Sequence, residues 1–122
     1  MQALLVEDGR TDRMFHRGIL ERAGYTVREA ANGYEGWEAA LEQVFDLVVA
    51  DINMPKLDGL ALTRLLRDQH RAPTLPILLV SSDGDARVRE EACRAGADAY
   101  LVKPLRPEEF LAAVRDMAGG RA

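Results

Sequence analysis

Four stretches of this chain end an apolar run in a residue that can do chemistry. Ala3-Leu4-Leu5-Val6 runs into Glu7-Asp8, Leu47-Val48-Val49-Ala50 into Asp51, Ile77-Leu78-Leu79-Val80 into Ser81, and Ala99-Tyr100-Leu101-Val102 into Lys103. Three carboxylates brought together suit a hard cation with oxygen ligands, magnesium before calcium because so few ligands are on offer. Lys103 is a positive point charge that can hold an anion, and Ser81 adds a hydroxyl donor. Together they suit a phosphoryl group on Asp51, since a carboxylate can act as a nucleophile to give an aspartyl-phosphate. Like charges ~5 Å apart at an effective dielectric near 20 repel by roughly 3 kcal/mol. A phosphodonor entering such a cluster therefore needs a cation beside it. The competing explanation is a salt bridge from Lys103 to the acids, because ion-pair networks also collect at strand ends.

The elements that must position these residues are legible in order. Short apolar runs without alternation suit strands buried on both faces of a parallel sheet. Between them lie helical patterns. Thr11 to Ala23 places Phe15, Ile19, Leu20 and Ala23 on one face, with Gly24 as its stop. Tyr25 to Ala30 alternates in part, as an edge strand does. Asn32 is an N-cap for a helix with Trp37, Ala40, Leu41 and Val44 inward, and Asp58 caps one with Leu62, Leu65 and Leu66 inward. A polar loop spans 68–76, and a fourth helix runs from Asp85 to Ala95 with Gly96 after it. Pro107 starts the last helix, whose core face is Phe110, Leu111, Val114 and Met117. Five successive strand–helix units imply right-handed crossovers and a doubly wound sheet of order 2-1-3-4-5. In that order the first and third strands meet at the switch point, so Glu7, Asp8 and Asp51 converge on one crevice.

With 122 residues, 48% of them hydrophobic, the chain reads as one domain over 1–122, with 119–122 a tail or the start of a linker. Its net charge of −4 and lack of a long basic run speak against direct nucleic-acid binding. Cys93 is the only cysteine, so an intrachain disulfide is excluded, and a small buried or half-buried helix position is expected for it. The run Ala3 to Val6 is too short for a signal peptide or a membrane span, which makes a cytoplasmic protein the default. His16 and His70 have no ligand-like companions.

The chain resembles a response-regulator receiver domain, in extent like the stand-alone chemotaxis type. The resemblance rests on VEDG at 6–9, DINMPKLDG at 51–59, LVSSD at 79–83 and AGADAYLVKP at 95–104, in that order and spacing. Members of this family are type examples of the 2-1-3-4-5 flavodoxin-like sheet, so that order is not independent of the resemblance. The resemblance implies that Asp51 accepts a phosphoryl group from a phosphohistidine on a histidine kinase or histidine phosphotransfer protein. It implies that Glu7 and Asp8 hold Mg2+ with Asp51 and the Asn53 backbone carbonyl, that Ser81 and Lys103 contact the phosphoryl oxygens, and that Tyr100 is the aromatic switch. It implies a cis Lys103–Pro104 bond, and an output face on the fourth helix, fifth strand and fifth helix, where Arg87, Arg89 and Arg94 lie. That face would meet a downstream protein or output domain, as a monomer or a phosphorylation-dependent dimer. Glu7 and Ser81 stand where aspartate and threonine are more usual, both accepted variants. Arg106 stands where an N-cap is expected.

Two other classes are weighed. An aspartate-nucleophile phosphatase of the haloacid-dehalogenase kind carries a second aspartate two residues after the nucleophile, and here that residue is Asn53. A flavodoxin-like cofactor binder needs a hydroxyl-rich loop after the first strand, where this chain has Glu7-Asp8. Asn53, Ser82 and Asp83 are short and polar along the path of a hydrolytic water, which predicts rapid loss of the phosphoryl group. Met14 points away from the buried face of its helix, where it could touch a kinase.

Overall fold

Strand and helix alternate from end to end: β1 (Gln2–Val6), α1 (Arg10–Arg22), β2 (Thr26–Ala30), α2 (Gly33–Glu42), β3 (Leu47–Asp51), α3 (Gly59–Asp68), β4 (Ile77–Ser81), α4 (Ala86–Ala95), β5 (Ala99–Val102) and α5 (Pro107–Gly120). The computed structural model describes residues 1–69 and 72–120, the last three of these by their backbone alone; His70 lies outside them. The sheet is parallel throughout, in the order β2-β1-β3-β4-β5. β3 and β4 are buried along their whole length, whereas β2 mixes exposed and buried positions, as an edge does.

The two-residue period of a strand sorts the side chains into two layers. Leu4 and Val6 of β1 pack with Ala39, Leu62 and Ala92 from α2, α3 and α4. Ala3 and Leu5, one step out of phase, pack with Ile19 and Leu20 of α1 and Phe110 and Val114 of α5. Phe110, Leu20, Leu62 and Leu66 are fully buried. Each such side chain stabilises the fold by ~1.5–3 kcal/mol relative to exposure.

Local chemistry sets the helix ends. Asn32 Oδ1 accepts from the Glu35 N–H at 2.9 Å, and Glu35 Oε1 accepts from the Ala31 N–H at 3.0 Å, a reciprocal cap on α2. Asp58 and Asp85 cap α3 and α4 through the N–H groups of Ala61 and Arg87, both at 2.8 Å. Gly96 closes α4 at φ 108°, a left-handed conformation that a side chain would strain. Both glycines of the expected tail, Gly119 and Gly120, fall within the span of α5.

Three expectations about buried faces are corrected. Leu41 and Val44 are 57% and 85% exposed. The inward face of α2 is instead Gly33, Gly36, Ala39 and Ala40, because the helix lies close to the sheet: a Cβ on Gly36 would come within 2.9 Å of Val6. The helix has ended before Val44, and Phe45 takes the buried place. On α1 the inward residues are His16, Ile19 and Leu20, so Phe15 and Ala23 are turned outward. Cys93 is exposed, because α4 faces the core through Ala92 and Ala95 and the next residue is rotated away by ~100°. Trp37 packs half-buried against the core and Met14 points outward, both as expected.

Candidate functional site

Register places the strand ends side by side. Val6 is level with Ala50, so Glu7 is level with Asp51; Asp51 is level with Val80, and Ser81 with Val102. The chain leaves the sheet at each of these points, and the side chains of Glu7, Asp51, Ser81 and Lys103 meet at the C-terminal edge. The edge is closed by backbone contacts, Glu7 N–H to Ala30 O at 3.0 Å, Ile52 N–H to Val80 O at 2.8 Å and Lys103 N–H to Ser81 O at 2.8 Å. The Lys103–Pro104 peptide is cis.

Lys103 is the hub. Its Nζ donates to Asp51 Oδ2 at 2.7 Å, to Glu7 Oε1 at 2.9 Å and to Asp12 Oδ2 at 2.9 Å. Burial alone would lower the lysine's pKa, but hydrogen bonds to Asp51, Glu7 and Asp12 outweigh it and raise the pKa above its ordinary value. The ammonium is therefore charged at every physiological pH. Glu7, 2% exposed, is shifted in the same direction, which for a carboxyl group favours the neutral form. Burial raises its pKa, and the hydrogen bonds from Lys103 and from the Gly9 N–H, the latter at 2.9 Å, offset this only in part.

The remaining polar atoms are tied down locally. Asp51 Oδ1 accepts from the Asn53 N–H at 2.9 Å, which turns the chain after β3. Ser81 is wholly buried, and its Oγ accepts from Asn53 Nδ2 and from the Asp83 N–H, each at 3.1 Å. Asn53, Ser82 and Asp83 are exposed. Tyr100 is turned inward at 8% exposure, and its hydroxyl donates to the Asp83 carbonyl. A cavity of about 480 Å³ opens beside the lysine, lined by Asp12, Phe15, His16, Ser82, Lys103, Pro104 and Leu105.

Carboxylate oxygens of Glu7, Asp8 and Asp51 lie within 4.8 Å of one another. That spacing and an all-oxygen donor set fit a small hard cation. Each carboxylate oxygen has two acceptor directions, so the contacts to Lys103, Gly9 and Asn53 leave capacity for a metal.

Sequence reasoning missed two participants. Asp12 is the third partner of Lys103, and Arg13 Nη1 donates to the Glu7 carbonyl at 2.8 Å. The signal was available: both sit in the first turn of the helix that follows the Glu7-Asp8 edge, so they overhang that edge.

The family model of the response regulator receiver domain matches residues 3–115. The transcriptional regulatory protein SrrA of Staphylococcus aureus is 32% identical over 114 residues, which are 93% of this chain and 46% of that protein. The chain thus spans about half the length of the curated relatives it matches. Among solved structures, the Vibrio cholerae chemotaxis protein CheY4 superposes with a TM-score of 0.89 at 31% identity, over 95% of this chain and 97% of that one. The receiver domain of the sensor histidine kinase PA1611 of Pseudomonas aeruginosa, solved with a magnesium ion coordinated in its active-site cleft, gives 0.88 at 30% identity over 97% of each chain.

Proposed function

The chain belongs to the response regulator receiver domain family, and from that premise we propose that Asp51 is its phosphoacceptor. The observation that carries the reading is the pairing of Asp51 with Lys103 at 2.7 Å inside a cluster of carboxylates. An Asp51 carboxylate oxygen attacks the phosphorus of a phosphohistidine; the P–N bond breaks, and the imidazole leaves and takes up a proton. Lys103, held charged, supplies N–H donors to the phosphoryl oxygens, and the Ser81 hydroxyl supplies another. Asn53 N–H fixes the rotation of the Asp51 carboxylate, so one oxygen is presented to the cleft. Glu7, Asp8, Asp51 and the Asn53 carbonyl are the residues that would hold magnesium. When bound, it neutralises the carboxylates and orients the phosphoryl oxygens.

The module catalyses its own phosphorylation and dephosphorylation and turns over no separate substrate. Its donors are a histidine kinase or a histidine phosphotransfer protein, and its output face is α4, β5 and α5, around Tyr100. Among the described residues no helix is long and apolar enough to cross a membrane; we assign the module to the cytoplasm. The haloacid-dehalogenase alternative gains nothing from the geometry, since the Asn53 amide is engaged with Ser81 Oγ and has no acid to give.

The test is acetyl phosphate with magnesium. Wild type should take up hydroxylamine-labile phosphate; Asp51→Asn, or chelation of the metal, should abolish it. Full labelling of Asp51→Asn, or indifference to EDTA, would overturn the assignment.

A further inference from the structure

An ammonium group has three N–H donors, and in this protein each of those of Lys103 has an acceptor: Glu7, Asp51 and Asp12. The group is saturated before any ligand arrives. Its three partners are unequal. The side chains of Glu7 and Asp51 are 3% and 6% exposed, and that of Asp12 is 49% exposed. A phosphoryl group on Asp51 takes over the N–H that the Asp51 carboxylate held, and a second phosphoryl oxygen within reach of Nζ displaces one of the other two partners. Releasing Glu7 would strip a hydrogen bond from a buried carboxylate oxygen that water does not reach, a heavy cost. Releasing Asp12 costs little, because water takes up a half-exposed carboxylate.

We propose that Asp12 is a positioning residue for phosphoryl transfer, acting through Lys103 as its displaceable partner. In the free protein it holds the third N–H of the lysine; it competes with the phosphoryl oxygens for that donor and lets go when Asp51 is phosphorylated. Its negative charge also stands beside the path of an anionic donor. The inference rests on Asp51 being the phosphoacceptor. Asp12 belongs to neither the Glu7-Asp8 pair nor the Asp51 loop, and it also lines the cavity beside Lys103. Its release would therefore leave an unpaired carboxylate at the mouth of that cavity when the protein is phosphorylated.

The direction of one rate separates competition from support. If Asp12 merely braced Lys103, removing it would slow labelling. As a competitor, its removal speeds labelling. Initial rates of phosphate uptake from acetyl phosphate, at saturating magnesium and several donor concentrations, are compared for wild type, Asp12→Asn and Asp12→Glu. Thermal melts confirm that each is folded, which the exposure of the position favours. Asp12→Asn should label about two- to fivefold faster, the range of a half-exposed ion pair, and Asp12→Glu should return toward the wild-type rate. In wild type, the Asp12 carboxyl carbon signal should move on adding beryllofluoride to that of a solvated carboxylate. Wild type labelling on Asp51 while Asp12→Asn labels no faster overturns this inference alone, as does an Asp12 signal unmoved by beryllofluoride. Wild type that takes no phosphate on Asp51 overturns the reading of the site, and this inference with it.

Discussion

The guanidinium of Arg89 lies over the ring of Tyr100, 4.9 Å from its centroid. The other end of that ring is held by the hydroxyl's hydrogen bond to the Asp83 carbonyl. Tyr100 is thus fastened inward from two sides. Ser81, the residue that would relay phosphorylation to this ring, has a hydroxyl but neither the methyl nor the χ1 stiffness of threonine.

Weak coupling between Ser81 and Tyr100 follows, because phosphorylation biases the ring only through a difference in contact between the two states. Addition of beryllofluoride should change the NMR environment of the wild-type Tyr100 ring little. Ser81→Thr should make it depend more on activation. Arg89→Ala should raise the outward population about two- to fivefold, the equivalent of an exposed cation–π contact of roughly 0.5–1 kcal/mol. A free wild-type ring that is wholly outward would sink the idea.

The phosphorylated state should be short-lived. Asn53 and Asp83 are exposed and both point chemistry at Ser81 Oγ, through an amide and a backbone N–H. Both are short and polar, which favours approach of a water to a phosphoryl group on Asp51. Loss of phosphate from the isolated protein should be rapid without a phosphatase, and replacing both residues by bulky apolar ones should slow it. A wild-type phosphoprotein that persists for hours would show that access is not what limits hydrolysis.

Gly59 ties the site to α3. A Cβ there would stand 2.5 Å from the Asp51 carbonyl oxygen and 3.0 Å from the Ile52 Cα. Those are backbone atoms and cannot swing aside. Gly59→Ala should lower stability by about 1–3 kcal/mol and should weaken labelling of Asp51 even in the folded fraction. Denaturant midpoints and acetyl phosphate uptake measure the two effects. An unchanged midpoint with full labelling would mean that α3 can shift without moving Asp51.

His16 adds a pH dependence to stability. It is 3% exposed, packed edge-on against Phe110 at 5.6 Å between ring centroids. Burial lowers its pKa below the ordinary 6.5, and the nearby Asp12 charge offsets this only in part. Below that ordinary value the unfolded chain binds a proton that the native state refuses. The stability tied to the neutral imidazole is complete above 6.5 and falls as the pH drops toward the lowered native pKa. The urea midpoint should therefore fall more between about pH 7.5 and pH 5.5 in wild type than in His16→Leu. Equal falls in the two proteins would assign the effect to other groups.

Much of this molecule is legible in its sequence. Apolar runs that stop at Glu7, Asp51, Ser81 and Lys103 mark strand ends, because a strand buried on both faces must leave the sheet where a charge appears. Asn32, Asp58, Asp85 and Gly96 mark helix ends, because capping is a contact within a few residues of chain. Alternating strands and helices then allow few topologies, and the observed order is the expected one. What lay beyond reach depends on the rotation and closeness of packed elements. Leu41 and Val44 look like core by helical spacing, yet Gly36 draws α2 so near Val6 that small residues take the face beneath it, and the helix ends before Val44. Phe15 lost the inward place on α1 to His16 by one residue of helical phase. Asp12 became a partner of Lys103, 91 residues away, only because α1 starts over the edge that β5 reaches. Spacing along the chain determines where an element begins and stops. Which side chains meet across elements is decided by how closely those elements pack and how each is rotated, and both exist only in the folded protein.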